Sequence, residues 1–289
     1  MSEEIPDLND ENFSNKKIFL LLLDGWGVSS LSEVNAITKA KAKNFNDLVL
    51  NYPVALLKDE TTDPRKRYFS LGTGLSSNFD KYLENTNYLS KILAENNLKQ
   101  LKLSSAHSFS FLNLYFNALN QEVLNNEKRE IVKADNLDYF QETRLLFKMA
   151  EKYIDENEYD FTVLTVPLAD QMSSIGDFKK TVKAINLIDD YLLKISQKIL
   201  NQDNILIVSS VYGNAEYTKD LSTETLNQEL TKNPVPIIIV TKDYLGKTIG
   251  LAEPLEADLS LLSPVASLNS IMPSILKLFN IKTEGKSLV

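Results

Sequence analysis

Residues 16–25, KKIFLLLLDG, set six consecutive apolar side chains between a basic pair and an Asp-Gly turn, with no polar residue interleaved. A strand with one face in water alternates apolar and polar residues. An unbroken run of this length fits a strand buried on both faces, as in a parallel sheet covered by helices. FTVLTV at 161–166, NILIVSS at 204–210 and VPIIIV at 235–240 have the same character. Between the first two of these, Val182, Ile185, Ile188, Leu192, Ile195 and Ile199 recur at helical spacing. A further helix is expected over 265–279, kinked or restarted at Pro273. Strand–helix–strand alternation implies an α/β fold, a mostly parallel central sheet with helices on both faces.

The middle of the chain is less regular. QLKLSS (100–105) and SFLNLYFN (110–117) read as short β-like runs, either edge strands or a hairpin on the same sheet. No repeat, low-complexity tract or linker divides the chain. Residues 16–289 are therefore expected to form one domain behind a flexible acidic tail, residues 1–15.

Composition narrows the chemistry. Across 289 residues, 31 Lys and Arg face 39 Asp and Glu, a net charge of -8 that argues against generic nucleic-acid or anionic-membrane binding. There is no cysteine, which excludes disulfides, thiolate metal sites and cysteine nucleophiles. The single histidine, His107, rules out any centre built on several imidazoles. The first residues are acidic and polar, unlike a signal peptide, and no apolar run approaches the roughly 20 residues that span a bilayer. A cytoplasmic location without membrane insertion is expected.

In open α/β sheets, functional groups gather just past the carboxyl ends of the strands. Three places here fit that rule: Asp24 with Gly-Trp-Gly, Asp170 after FTVLTV, and residues 211–216 after NILIVSS. Carboxylates from two strand ends can share one hard cation. They can equally cap the next helix or turn, and spacing alone leaves both readings open.

Taken together, several blocks resemble a known family. IFLLLLDGWG with Asn35-Ala36-Ile37, SLGTG at 70–74, LKQLKLSS with LYFN, YDFTVLTV with ADQMSSIGD, VYGNAE, NPVP and the final GKSLV occur in the order found in cofactor-independent phosphoglycerate mutases. Those are metal enzymes of the alkaline phosphatase superfamily. The resemblance runs from about residue 16 to the end. It implies two divalent metals held by Asp and His, and a serine that attacks phosphate to form a phosphoserine intermediate.

Position by position, most of that machinery is replaced. Asp24 and Asp170 match two metal-ligating aspartates. Ser174 stands where the second motif has its His, Val211-Tyr212 where an Asp-His pair precedes Gly-Asn-Ala-Glu, and Leu230 where a His precedes Asn-Pro-Val-Pro. Pro64 falls on the nucleophilic serine, Tyr68 on a substrate-contacting His and Ser108 on a catalytic Lys. The family's inserted second domain is missing, with residues 75–97 in its place. A mutase holds its intermediate in a closed cleft while it reorients, and a chain without that second jaw loses the cleft.

The resemblance thus implies vestigial ligands at Asp24 and Asp170, no catalytic nucleophile, and no cofactor beyond weakly held Mg²⁺ or Mn²⁺. Arg65, Lys66 and Arg67 form an anion-binding candidate beside the former nucleophile, or else a solvated charged loop. His107 is either a replacement acid or base or a surface residue without a task. Trp26 is expected to pack beneath its loop, and Tyr68 and Tyr212 to fill the old metal cavity. The expected function is that of a catalytically inactive relative kept as a binding or structural part of a larger assembly, with protein partners. Two alternatives stand beside it. One is a phosphohydrolase with a single metal around Asp24 and Asp170, helped by Asp63, Ser70 or Ser174. The other is a sensor of phosphorylated metabolites. The tail and the polar stretch 118–142 are candidate docking segments.

Overall fold

The computed structural model describes residues 13, 15–30, 33–77, 86–132, 136–219, 225–248 and 255–289. Most of the expected tail lies outside these residues. Phe13 is the exception to a tail reading: it is buried, edge-on to Tyr244 at 5.5 Å between ring centroids.

The unbroken apolar runs become the inner strands. β1 (Ile18–Leu23) lies between β5 (Phe161–Val166) and β6 (Ile205–Ser209), parallel to both, with every residue of the three strands buried. β3 (Gln100–Ser105) pairs in parallel with β5 and with β4 (Glu127–Val132). β7 (Val235–Val240) runs antiparallel to both β6 and β2 (Val54–Leu57). The order is β2-β7-β6-β1-β5-β3-β4, a seven-stranded sheet in which β7 alone is reversed among the described residues.

Successive side chains of a strand point to opposite faces, so each strand feeds two cores. Phe19, Leu21 and Leu23 join one core, under α2 (Lys43–Asn51), α5 (Tyr139–Glu156) and α7 (Phe178–Asn201). Ile18, Leu20 and Leu22 join the other, under α3 (Pro64–Thr73), α4 (Leu89–Glu95) and α8 (Ile271–Leu278). α5 starts at a capping box in which Asp138 and Gln141 satisfy each other's backbone N–H groups. Asp177 caps α7, whose Ile185, Ile188, Leu192, Ile195 and Ile199 are the buried stripe expected from their spacing.

Three expectations from the irregular parts are corrected. QLKLSS is an interior strand, flanked on both sides. SFLNLYFN contains a π-helix, Phe111–Tyr115, because its apolar Phe111, Leu112, Tyr115 and Phe116 repeat at four- and five-residue steps rather than two. The helix placed over 265–279 begins at Ile271, with Pro273 in its first turn, where a missing N–H breaks no helical bond. The stretch 118–142 supplies the edge strand β4 and the start of α5.

Register makes the site. Leu23 pairs with Val166 and Leu22 with Ser209, so β1, β5 and β6 end level with one another. The residues that follow, Asp24, the start of α6 (Leu168–Ser174) and the loop 210–216, meet at one point above the sheet.

Candidate functional site

Asp24 leaves β1 into a turn at Gly25, whose φ of +88° lies in the left-handed region that glycine tolerates. A Cβ at Gly25 would sit 2.6 Å from the Asp170 nitrogen, so only glycine lets the two loops approach. Asp170 N–H donates to the Asp24 carbonyl at 3.2 Å, and Gly25 N–H to the Tyr212 carbonyl at 3.0 Å. The backbone thus brings together Asp24, Asp170 and Tyr212, as their strand-end positions predict.

The side chains close the space between them. Asp24 is 1% exposed, and its Oδ2 accepts a hydrogen bond from the Tyr68 hydroxyl at 2.6 Å, with the Tyr212 hydroxyl and the Val211 backbone also set against the carboxyl. Tyr68 enters from α3, stacked on Phe111 at 5.4 Å, and is fully buried. Tyr212 Oη donates to Asp170 Oδ2 at 3.4 Å, and Asn214 Nδ2 to Asp170 Oδ1 at 2.8 Å. Ser174 Oγ donates to Asp170 and accepts from Asn214, at the exposed edge of the cluster.

This burial controls charge. Desolvation pushes the Asp24 carboxyl up to about 8, with the Tyr68 hydroxyl opposing and the neighbouring Asp170 adding to the rise. Burial thus favours the protonated form of Asp24. Asp170 is raised by burial too, against the Asn214 amide and His107. Both tyrosine hydroxyls are pushed well above their usual value, chiefly by burial and then by the adjacent carboxyls. The centre is a buried, hydrogen-bonded cluster in which every titratable group is pushed toward its neutral form.

Its surroundings are braced by Arg67, expected in an anion-binding cluster, and by Glu216, for which the sequence suggests no individual role. Arg67 is 1% exposed and its guanidinium donates to the carbonyls of Thr61 (2.6 Å), Val211 (3.1 Å) and Asp59 (3.3 Å). It ties α3 to the loop after β6. Glu216, completely buried, accepts from Gly27 N–H at 3.2 Å, Asn233 Nδ2 at 3.0 Å and the Thr231 hydroxyl. A Cβ at Gly27 or Gly213 would come within 2.4 or 2.3 Å of that carboxyl group. The glycines of DGWG and VYGNAE make room for Glu216, and that pairing was the available signal.

The basic cluster does not converge. Asp63 caps α3, with Pro64 at its first position, and Arg65 turns back to pair with Asp63 at 2.8 Å. Arg67 points into the protein, so Arg65, Lys66 and Arg67 present no shared face. Asp63 and Ser70 are engaged away from Asp24, Ser70 with the Leu75 carbonyl at 2.6 Å. His107 is exposed, within electrostatic reach of Asp170 and Glu142. Ser108 is buried and meets Ser105 Oγ at 3.2 Å. Val211 is buried, and Leu230 packs partly buried against the same core. Trp26 packs on Phe45 at 4.8 Å.

A largely parallel sheet with its acidic loops gathered at the strand ends defines an alkaline-phosphatase-like protein. The profile of the Metalloenzyme superfamily matches residues 16–283, and the chain belongs to that superfamily. It is phosphoglycerate-mutase-like in sequence. The 2,3-bisphosphoglycerate-independent phosphoglycerate mutase of Gracilaria tenuistipitata var. liui is 28% identical over 253 residues, 86% of this chain and 45% of the relative. That of Clostridium perfringens (strain SM101 / Type A) is 29% identical over 169 residues, 57% of this chain and 33% of the relative. The chain therefore spans less than half the length of these relatives. In structure it is similar to the alkaline phosphatase from the Antarctic bacterium TAB5 (TM-score 0.63, 13% identity, 92% of this chain and 98% of that one). It is similar also to Leishmania mexicana phosphoglycerate mutase (TM-score 0.55, 17% identity, 69% and 38%).

A pair of divalent cations does not fit the residues present. Among the described residues no group of three or more His, Cys, Asp or Glu converges. The donors at the centre are two carboxyls, two tyrosine hydroxyls, a serine and an amide. Hard cations need several anionic or carbonyl oxygens at close range, and here the tyrosine hydroxyls already bond to the two carboxyls.

Proposed function

We propose that this chain is a non-catalytic phosphoglycerate-mutase-like protein, kept as a cytoplasmic binding or structural component of a larger assembly. The observation that carries the reading is the Tyr68–Asp24 contact: a buried hydroxyl 2.6 Å from the carboxyl that matches a metal ligand of the family. Tyrosine hydroxyls there donate to the carboxyls of both aspartates, Tyr68 to Asp24 and Tyr212 to Asp170. Pro64 at the nucleophile position, at the first turn of α3, has no side chain able to attack phosphate. Ile175 and Leu226, 53% and 59% exposed beside this centre, offer apolar contact area to a partner.

The test is turnover of p-nitrophenyl phosphate by the full chain, with chelator and with Mg²⁺, Mn²⁺ or Zn²⁺. This reading predicts no metal-dependent rate above the protein-free control. A metal-dependent rate abolished in both Asp24→Ala and Asp170→Ala would replace it with the single-metal phosphohydrolase.

A further inference from the structure

A cleft of about 270 Å³ opens between the loop after β1, the segment running from α1 (Ala36–Ala40) into α2, and the turns at 255–261. It belongs to the other core, away from the two tyrosines. Its floor is apolar: Trp26 and Phe45 in contact, with Val28 and Ile37 partly buried beside them. Its rim is charged, with Lys41 from the helix side and Glu256 and Asp258 from the facing turn. None of these three charges is in an ion pair among the described residues. Asp258 uses Oδ1 to accept from the Ser260 N–H (3.0 Å) and hydroxyl (2.7 Å), and Oδ2 carries no bond.

Backbone strain collects on the same rim. Among the described residues other than glycine, asparagine and aspartate, which adopt the left-handed region most readily, five have φ in that region: Lys41, Ala118, Leu119, Glu256 and Ala257. Lys41 (φ 63°), Glu256 (φ 51°) and Ala257 (φ 63°) all line this cleft. Such conformations persist only where the surroundings impose them, and they gather at ligand clamps.

We propose that this cleft binds a small zwitterion with an apolar side chain, a free α-amino acid of about leucine or phenylalanine size. Its ammonium lies between Glu256 and Asp258, its carboxylate on Lys41, and its side chain on the Trp26–Phe45 floor. Size bounds the choice, since pockets for drug-sized ligands run from about 300 to 1,000 Å³ and this one falls below that range. Two carboxylates on one turn, neither in an ion pair among the described residues, favour a positive group, and Lys41 on the facing segment, likewise without an ion pair there, favours a negative one. One small ligand carrying both charges satisfies the two walls at once. Binding asks nothing of Asp24 or Asp170, so the inference stands whether or not that centre is catalytic.

The experiment titrates L-leucine and L-phenylalanine into the full chain by calorimetry. The N-acetyl and carboxamide derivatives are run beside them, as are Lys41→Gln and Asp258→Asn. The expected result is saturable binding that weakens roughly tenfold or more when either end of the ligand is capped, and in either variant. No saturable heat from either amino acid at about 10 mM overturns the proposal. So does binding that ignores both caps, a comparison made on the unaltered protein and therefore independent of how the variants fold.

Discussion

Replacing Asp24 with Asn tests whether this carboxyl is a buried relic or a ligand in use. An ordinary aspartate titrates near 3.8, whereas burial places the folded Asp24 at about 8. A raised folded value means that the native state holds its proton longer than the unfolded chain does. The associated stability is fully present below the unfolded value and is lost as pH rises through the folded one. Each pH unit in that window removes about 1.4 kcal/mol from the wild-type protein. Asn does not ionise, keeps an oxygen for the Tyr68 hydroxyl, and escapes this loss. Between about pH 6 and about pH 9, the stability of Asp24→Asn relative to wild type should therefore rise by about 2–3 kcal/mol, then level off. That corresponds to roughly 5 °C in relative Tm for a chain of this size. Thermal unfolding of both proteins across that pH range, without metal, reads it directly. Parallel pH profiles would refute the reasoning, because they would mean that Asp24 ionises as easily folded as unfolded.

Other parts of the fold give sharper losses. Lys102 and Glu127, both with fully buried side chains, pair at 2.9 Å, and Arg129 joins them at 2.8 Å. Glu127→Gln leaves Lys102 buried without its counter-charge and should cost about 3–5 kcal/mol in denaturant unfolding. The same carboxyl is held at about 2, with burial opposing Lys102 and Arg129, so its contribution should disappear in acid as pH falls from its ordinary value through about 2. Gly72→Ala would set a Cβ 2.0 Å from the Phe116 carbonyl oxygen, forcing α3 off the π-helix, and should abolish soluble folded protein on gel filtration. Asp63→Ala removes the cap of α3 and should lower stability by about 1 kcal/mol, measurable as a midpoint shift in urea.

What the sequence disclosed follows from which signals are local. The runs at 18–23, 161–166 and 235–240 lie in strands because a helix-covered sheet requires continuous apolar segments, and these show it without context. VPIIIV gave no sign of being antiparallel, since direction depends on the connection between residues 210 and 234 rather than on the strand. β2 and β4 were missed for a different reason. Val54–Leu57 is only four residues long, and Glu127–Val132 is an edge strand whose charges keep its outer side in water. At the centre, the replacements at Pro64, Tyr68, Ser174 and Tyr212 were visible as identities. Their geometry was not: that Tyr68 bonds Asp24, that Arg67 points inward while Arg65 folds onto Asp63, and that Gly27 and Gly213 clear space for Glu216 depend on loops meeting across the sheet. Charge runs show composition, and only the direction of each side chain decides whether they make a surface.

The most direct test of the central claim is the change in Tm between protein treated with chelator and protein in excess Mn²⁺. A site filled at about 100 times its dissociation constant would add roughly 2.7 kcal/mol, or about 5 °C or more. With tyrosine hydroxyls bonded to Asp24 and Asp170, the account predicts coincident unfolding curves. A rise of several degrees with Mn²⁺ that vanishes in Asp24→Ala would contradict it.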